Sequence, residues 1–360
     1  MKRAPDPVAK RAQTRPETRL KGAVRRTDAR PSAEGSDHAP MDERLKFGVL
    51  AWPQYTDWPA LRDVGARVDE LGYDSLWTWD HLYPIVGSPH GPIFEGYLTL
   101  AGWAGVTERV TLGLMVGANT FRNPALTAKM ATTLDHLSGG RAILGIGGAW
   151  FETEHTAFGI DFGSGFGERL DRLDEAVELM RAMLDGDPAT ARGVVYHARD
   201  VRNDPPPLQR RLPILIGGGG EKKTLRTTAR FADAWNINGD LDEVRHKDAV
   251  LRRWCDESGR DESTIERTYS SDSIIVRDDL DEGRRLAAEI GRLNGRSEGP
   301  RYVETPEMAV ERLAPIVELG FRHIYFDIPV PFDDETLVRL VEEVRPMLEE
   351  RAGATVAAAT

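Results

Sequence analysis

The sequence contains almost no cysteine and no long hydrophobic segment. Cys255 is the one cysteine among 360 residues, so the chain cannot form an internal disulfide framework or a multi-cysteine zinc site. Its position beside Trp254 in a helical stretch favours packing over catalysis. No run approaches the roughly 18 consecutive apolar residues that a membrane helix needs. These absences predict a protein of a reducing compartment, the cytoplasm, without a membrane partner.

The first 40 residues lack aromatic side chains and any apolar periodicity. They carry ten Lys and Arg against five Asp and Glu, whereas the remainder carries 37 against 53 and the whole chain has a net charge of −11. Such a segment cannot bury enough surface to offset its chain entropy, so residues 1–41 are predicted to be a disordered basic tail. A targeting segment and a basic arm for an anionic partner stay open. The acidic body is poorly suited to nucleic acid, because such binding draws mainly on phosphate neutralisation.

From Leu45 onward, strand-like and helix-like runs alternate eight times. The predicted strands are Leu45–Ala51, Ser75–Trp79, Val110–Val116, Arg141–Ile146, Pro213–Ile216, Ala234–Ile237, Tyr269–Val276 and His323–Ile328. The predicted helices are Trp58–Leu71, Tyr97–Val106, Ala125–Leu137, Glu168–Leu184, Lys222–Phe231, Leu241–Ser258, Pro306–Leu319 and Glu335–Glu350. Strict alternation implies parallel strands with right-handed crossovers. The sequence therefore predicts an α/β fold, a (β/α)8 TIM barrel over residues 42–350. A doubly wound open sheet is the rival architecture, although it seldom needs eight regular units.

Insertions interrupt the alternation after the fourth and seventh strands. They cover about residues 150–167 and 186–212, between the fourth and fifth strands, and about residues 277–305. The charged part of the last one, residues 277–304, fits either a lid or a solvated excursion. The Ala-rich residues 351–360 are predicted to form a flexible C-terminal tail.

Polar, aromatic and small residues stand at the predicted strand ends, where a barrel of this kind builds its ligand site. The fourth strand is the most informative, because its apolar run stops in Gly147, Gly148 and Ala149 before Trp150. Small residues at that point leave room for a flat molecule to approach the backbone. A plain core strand that ends in a turn is the alternative interpretation.

Asp80 and His81 follow the second strand and form the most reactive pair in the sequence. Histidine titrates near neutral pH and can move a proton, and a nearby carboxylate can hydrogen-bond a ligand or hold the imidazole. The alternative is a capping aspartate beside a structural histidine. His90, His136 and His155 add no regular ligand spacing to His81, so no metal site is predicted.

Four consecutive glycines, residues 217–220, follow the fifth strand and precede a predicted helix. Such a run exposes backbone N–H groups to an anion, and the helix dipole assists, which is the usual physics of phosphate binding. Glycine-rich turns also occur for packing reasons alone. Trp52 and Trp79 stand at strand ends as well, although tryptophan is a core residue by default.

Taken together, these segments resemble the luciferase-like monooxygenase superfamily, specifically its actinobacterial branch of coenzyme F420-dependent oxidoreductases. The resemblance covers nearly all of residues 44–350. The segments that carry it are residues 75–82 (SLWTWDHL), 119–125 (NTFRNPA), 138–152 (SGGRAILGIGGAWFE) and 214–220 (ILIGGGG).

The resemblance implies a TIM barrel whose strand ends hold coenzyme F420, with FMN as the alternative cofactor. It implies that Asp80 and His81 are catalytic, Asp80 on the cofactor ring region and His81 as a proton donor or ligand-orienting group. It also implies a non-proline cis peptide between Met115 and Val116, beneath the ring. The implied cofactor contacts are Asp80, Met115, Val116, Asn119, Gly147, Gly148, Ala149, Trp150, Gly217, Gly218, Gly219 and Gly220. Trp52 and Trp79 are the candidate substrate contacts.

One departure from the family bears on the substrate. The sugar-phosphate dehydrogenase branch places a glutamate just past the glycines of the fourth strand, whereas this chain has Trp150 and Phe151 before Glu152. The resemblance therefore implies hydride transfer between deazaflavin C5 and an unidentified small organic substrate other than a sugar phosphate. An FMN-dependent monooxygenase supplied by a separate flavin reductase and a non-catalytic flavin-binding barrel stay open. A homodimer and a separate F420 reductase are expected only by resemblance.

Overall fold

The computed structural model describes residues 44–186 and 188–359, and within them it confirms the predicted barrel. The predicted basic tail, residues 1–41, lies outside the described residues. The strands are β1 Lys46–Ala51, β2 Ser75–Thr78, β3 Thr111–Leu114, β4 Gly117–Ala118, β5 Leu144–Gly147, β6 Ala189–Arg192, β7 His197–Val201, β8 Ile214–Gly217, β9 Ala234–Ile237, β10 Glu266–Val276, β11 Tyr302–Glu304 and β12 His323–Ile328.

The barrel wall has eight parallel strand positions, numbered in chain order. The short strands β3 and β4 together occupy the third position. The remaining wall strands are β1, β2, β5, β8, β9, β10 and β12, and each pairs in parallel with its neighbours. The wall closes between the third and fourth positions. There the Leu112 N–H donates to the Arg141 carbonyl at 2.9 Å, and Gly117 pairs with Ile146.

Helices connect the strands, and their ends follow the local capping chemistry of the sequence. They are α1 Trp58–Glu70, α2 Gly96–Ala104, α3 Pro124–Ser138, α4 Glu152–Phe158, α5 Phe166–Asp185, α6 Thr224–Phe231, α7 Leu241–Ser258, α8 Leu280–Leu293, α9 Pro306–Glu318, α10 Asp334–Arg339 and α11 Arg345–Ala359. The Asp57 side chain caps α1 by accepting from the Ala60 N–H, and α3 stops at Gly139, whose φ of 70° suits glycine. None of the described helices is both long and apolar enough to cross a membrane.

The predicted insertions contain regular structure. Residues 150–167 include α4, and residues 186–212 include the antiparallel hairpin of β6 and β7. The third insertion holds α8 and then β11, which pairs in parallel with β10, so it extends the sheet as a further helix–strand unit. The C-terminal segment predicted as a tail continues α11 as far as Ala359.

Side chains fill the barrel interior in layers. Leu50, Trp77, Leu215 and Tyr325 form the buried centre, with the Trp77 and Tyr325 ring centroids 5.0 Å apart. Alternate residues of the same strands point outward and pack against the helices, because successive side chains of a strand face opposite sides. These buried side chains fill the barrel as far as the C-terminal strand ends, where space for a site is left.

Asp69, at the end of α1, holds the loop that leads into β3. Its buried carboxylate accepts hydrogen bonds from the backbone N–H groups of Glu108, Arg109 and Val110 at 3.1, 2.8 and 2.9 Å. Burial alone would raise the pKa of Asp69, but these donors outweigh it and hold the pKa below its ordinary value. Because the folded pKa is depressed, this stabilisation is complete at neutral pH and is lost as the pH falls through the folded pKa.

We therefore expect Asp69→Asn to lower the free energy of unfolding by about 1–3 kcal/mol at neutral pH, since a buried acceptor is lost. Denaturant unfolding at about pH 7 and about pH 3 measures the difference, which should shrink in acid as the wild-type carboxylate is protonated. Asp63→Asn is the control, because that side chain on the same helix is 65% exposed. An equal loss of unfolding free energy in Asp69→Asn and Asp63→Asn would contradict the stabilising role of the Asp69 carboxylate.

Candidate functional site

A cavity of about 400 Å³ opens at the C-terminal ends of the barrel strands. Its volume suits a cofactor ring or a small ligand. Residues that follow the second to sixth barrel positions supply most of its wall. The lining residues are Trp79, Asp80, His81, Ile85, Met115, Val116, Gly117, Ala118, Gly147, Gly148, Ala149, Trp150, Glu154, Phe166, Gly217, Gly218, Asn236 and Asn238.

A break in the third barrel position shapes this cavity. β3 ends at Leu114 and β4 begins at Gly117, and the peptide bond between Met115 and Val116 is cis, as the resemblance implies. On the neighbouring strand, a Cβ at Gly145 would lie 1.9 Å from the Leu114 carbonyl oxygen. Only glycine fits where two backbones approach so closely.

Val116 forms the centre of a flat floor with glycines on both sides. A Cβ at Gly147 would lie 2.7 Å from Val116 Cγ2, and a Cβ at Gly217 would lie 2.9 Å from Val116 Cγ1. At Gly148, a Cβ would lie 2.7 Å from Leu170 Cδ2. Because these positions lack side chains, a planar molecule can approach the backbone and the single valine.

His81 lines the cavity, and Glu154 holds its ring. The His81 Nδ1–H donates to Glu154 Oε1 at 2.9 Å, and the backbone N–H of Leu82 donates to Glu154 Oε2 at 2.7 Å. An ionised carboxylate can only accept hydrogen bonds, so Nδ1 carries a proton in this pair. The other ring nitrogen, Nε2, is then the one that can exchange a proton with a molecule in the cavity.

Aromatic rings surround the imidazole of His81. The Trp150 and Phe151 ring centroids lie 5.5 and 6.0 Å from that of His81, both in edge arrangements, and Trp79 lies at 6.4 Å. Trp150 is 60% exposed, so it stands at the rim of the cavity rather than in the core. These rings limit the access of water to the histidine while leaving one side open.

Asp80 also lines the cavity, but its oxygens are engaged by protein groups. Arg122 donates to both oxygens at 2.7 and 2.8 Å, and the Ala118 N–H donates to Oδ2 at 2.9 Å. Burial raises the pKa of Asp80, and the hydrogen bonds from Arg122 act in the opposite direction. Arg122 also donates to Glu95 at 2.7 Å. The hydrogen bonds of Asp80 with Arg122 and with the Ala118 N–H thus connect the end of β2 to β4. A catalytic or ring-binding role for Asp80 stays a prediction.

The glycine run 217–220 leaves the cavity after its second member. Gly218 has a φ of 117°, which side-chain-bearing residues rarely adopt, and its N–H donates to the Asn236 carbonyl at 3.0 Å. The following helix begins at Thr224 instead of at the predicted Lys222, because residues 221–223 form a turn.

The structure does not bring every predicted residue to the cavity. Those that lie outside its lining are Trp52, Asn119, Gly219 and Gly220. Trp52 is buried behind Trp79, with the two ring centroids 5.0 Å apart. Asn119 is buried, and its side-chain nitrogen has no hydrogen-bond partner.

Sequence reasoning missed Glu154, Asn236 and Asn238. The sequence offers two glutamates near the fourth strand, and it gives no signal that α4 exposes Glu152 and buries Glu154 against His81. The alternating pattern of β9 places Asn236 at the strand end, where polar side chains of a barrel face the site. Among residues 44–186 and 188–359, no three His, Cys, Asp or Glu side chains cluster as a metal site.

The chain matches the family model described as luciferase-like monooxygenase over residues 41–313. It is 29% identical to the F420-dependent glucose-6-phosphate dehydrogenase of Microbacterium testaceum (strain StLB037) over 85% of this chain and 98% of that protein. The enzyme of the same name from Intrasporangium calvum is 31% identical over 81% of this chain and 94% of that protein.

A solved structure shares the fold at low identity. The F420-dependent secondary alcohol dehydrogenase in complex with an F420–acetone adduct matches with a TM-score of 0.72 and 17% identity, over 85% of this chain and 99% of that one. The family model covers well over half of the chain, and the barrel has the architecture of that structure. The chain therefore belongs to the luciferase-like monooxygenase family.

Proposed function

We propose that this protein is an F420-dependent oxidoreductase that exchanges a hydride with a small organic substrate, and that His81 moves the accompanying proton. The observation that carries the proposal is a cavity with a flat glycine-lined floor on one side and an imidazole held by Glu154 on the other. The names of the relatives, which are F420-dependent dehydrogenases, support the choice of cofactor.

The residues at the floor fit a planar cofactor. A side chain at Gly147 or Gly217 would collide with Val116, so the two glycines let the valine lie low between them and leave the cavity above it unfilled. Asp80 and Trp150 lie at the edges of this space, and Gly217 and Gly218 bring the backbone that precedes α6 to its lining. When bound, F420 accepts or delivers a hydride at C5 of its ring.

The chain itself supplies orientation and a route for the proton. Glu154 fixes the tautomer and the direction of the His81 ring, which leaves Nε2 as the nitrogen available for proton exchange. Trp79, Trp150 and Phe151 reduce the contact of that ring with water. Because a hydride leaving or reaching a carbon bonded to oxygen is accompanied by a proton at that oxygen, a histidine so placed is the natural donor or acceptor.

The first test compares cofactors. Titrating the purified protein with F420 should quench its tryptophan fluorescence, since Trp79 and Trp150 line the cavity. FMN should give much weaker quenching under the same conditions. Strong FMN binding with no F420 binding would overturn the choice of cofactor and favour the monooxygenase alternative.

The second test concerns the proton. With F420 and a substrate found by screening alcohols and carbonyl compounds, His81→Ala should lower kcat by roughly 10²–10⁴-fold, because general acid–base catalysis contributes that much. Glu154→Gln keeps the shape of the carboxylate and should lower kcat less. His90→Ala is the control, since His90 is exposed and away from the cavity. Unchanged turnover in His81→Ala would contradict the proton role.

The third test concerns the floor. Gly217→Ala places a Cβ 2.9 Å from Val116 Cγ1, so the valine side chain must shift toward the cavity. We expect F420 affinity to fall by roughly tenfold, or about 1.4 kcal/mol. Fluorescence titration measures the affinity, and adding Val116→Ala to the same protein should restore much of it. Gly105→Ala is the matched control, because its nearest atom is 3.5 Å away. Full F420 affinity in Gly217→Ala would show that the ring binds elsewhere.

A further inference from the structure

A second histidine, His155, follows Glu154 directly on α4 and has no part in the function proposed so far. It is fully buried, and it does not line the cavity. Its Nδ1 lies 2.8 Å from the Phe151 carbonyl oxygen, and its Nε2 lies 2.6 Å from the Thr120 hydroxyl. Because a carbonyl can only accept, Nδ1 donates to it, and the protein occupies both ring nitrogens. His155 is therefore placed to hold neighbouring segments together and not to exchange a proton with a ligand.

The helix α4 has few contacts that hold it in place. It has seven residues, its N-cap makes no side-chain hydrogen bond, and its buried residues are Glu154 and His155. Isolated helices shorter than about 12 residues are marginal in water, so contacts with the rest of the chain must hold α4. Its one large apolar side chain, Phe158, is 54% exposed and meets the Tyr83 ring with the centroids 5.5 Å apart. The two buried polar side chains are therefore the main anchors of α4.

These two anchors reach different parts of the barrel. Successive residues of a helix lie about 100° apart around its axis, so Glu154 and His155 present separate faces. Glu154 contacts His81 after β2, whereas His155 contacts Thr120 after β4. Thr120 lies two residues beyond β4, a strand that pairs in parallel with β5 in the barrel wall. His155 thus fixes to the barrel wall the helix that carries Glu154.

Aromatic rings hold the imidazole of His155 in this orientation. The Phe121 and Phe162 ring centroids lie 4.8 and 4.6 Å from that of His155. Such close packing restricts rotation of the imidazole and limits the access of water to its hydrogen bond with Thr120. Because a buried group that loses its partner is left unsatisfied, this hydrogen bond is costly to break.

We infer that His155 and Thr120 are positioning residues, which act through Glu154 on the tautomer and the direction of the His81 ring. This inference rests on the proposed function for the role of His81 in moving the proton. With the link in place, Glu154 stays within hydrogen-bond distance of His81 Nδ1, so Nε2 of the neutral ring keeps its lone pair for a proton. Without the link, α4 loses one of its two buried anchors, and the carboxylate shifts relative to the ring.

The first experiment determines the tautomer of His81 without turnover. In protein with isotopically labelled histidine, nitrogen NMR distinguishes a ring protonated at Nδ1 from one protonated at Nε2, and the signal missing from His81→Ala identifies His81. The neutral rings are compared at about pH 9. We expect the Nδ1–H form in the wild type and a mixture with the Nε2–H form in Thr120→Val, which removes the hydroxyl but keeps the side-chain shape. Thr120→Ser restores the hydroxyl and should restore the wild-type signal.

Variants of His155 test the other member of the pair. His155→Gln keeps a polar group that can reach Thr120, so it should retain more of the Nδ1–H form than His155→Ala. Thr133→Val is the matched control, because the exposed Thr133 hydroxyl donates to the Lys129 carbonyl within α3 at 2.9 Å. Denaturant unfolding shows which variants are folded. If His155→Ala fails to fold, the comparison of Thr120→Val with Thr120→Ser decides.

Turnover gives an independent measurement. With F420 and a substrate, Thr120→Val should lower kcat about tenfold, because displacing a catalytic group by about 1 Å can cost roughly 100-fold. The F420 affinity and KM should stay unchanged, since neither Thr120 nor His155 lines the cavity. Thr120→Ser should recover kcat together with the tautomer of His81.

The outcomes separate this inference from the proposed function. If His81→Ala keeps full turnover, the proton role of His81 is wrong, and the NMR signal then decides whether Thr120 and His155 position its ring. If His81→Ala is impaired but Thr120→Val and His155→Ala keep the wild-type tautomer and kcat, the positioning role is wrong while the proposed function stands. A wild-type His81 ring in the Nε2–H form, or equal losses of F420 affinity and kcat in Thr120→Val, would also overturn the positioning role.

Discussion

The close approach of the Leu114 carbonyl to Gly145 is the constraint on which the site depends. A Cβ at Gly145 would lie 1.9 Å from that oxygen, so the backbone path at the break between β3 and β4 requires glycine on the neighbouring strand. The break turns Val116 toward Gly147 and Gly217, which gives the cavity its floor. A single backbone contact thus shapes the part of the cavity where we propose that the planar cofactor lies.

The side chains around this floor have two kinds of partner. Asp80 is fully engaged by Arg122 and a backbone N–H, an arrangement that fixes geometry more than it offers reactivity. His81 is engaged at one nitrogen only, by Glu154. This difference supports the proposed roles, because an imidazole with one nitrogen not bonded to the protein is able to exchange a proton with a ligand, whereas a fully hydrogen-bonded carboxylate mainly holds its neighbours in place.

The local pattern of apolar and polar residues was enough to predict the barrel. Contacts between residues far apart in the sequence could not be predicted from that pattern. The strands Ala234–Ile237 and His323–Ile328 match their predicted bounds, because buried parallel strands have a strong apolar signal. The apolar pattern predicted the third strand as continuous, and only the family resemblance implied the cis peptide between Met115 and Val116, where the backbone leaves the ladder. Glu154 was missed for a related reason: its burial and its contact with His81 depend on chain segments far away in the sequence.

Glu154 joins His81 from a helix inserted after the fourth strand, so this hydrogen-bonded pair lies within the first half of the barrel. The second half contributes Gly217, Gly218, Asn236 and Asn238 to the cavity lining. The pair proposed to move the proton and these lining residues therefore lie in separate stretches of the gene. Substitutions in the later stretch can alter the cavity lining during evolution while the His81–Glu154 pair is inherited intact.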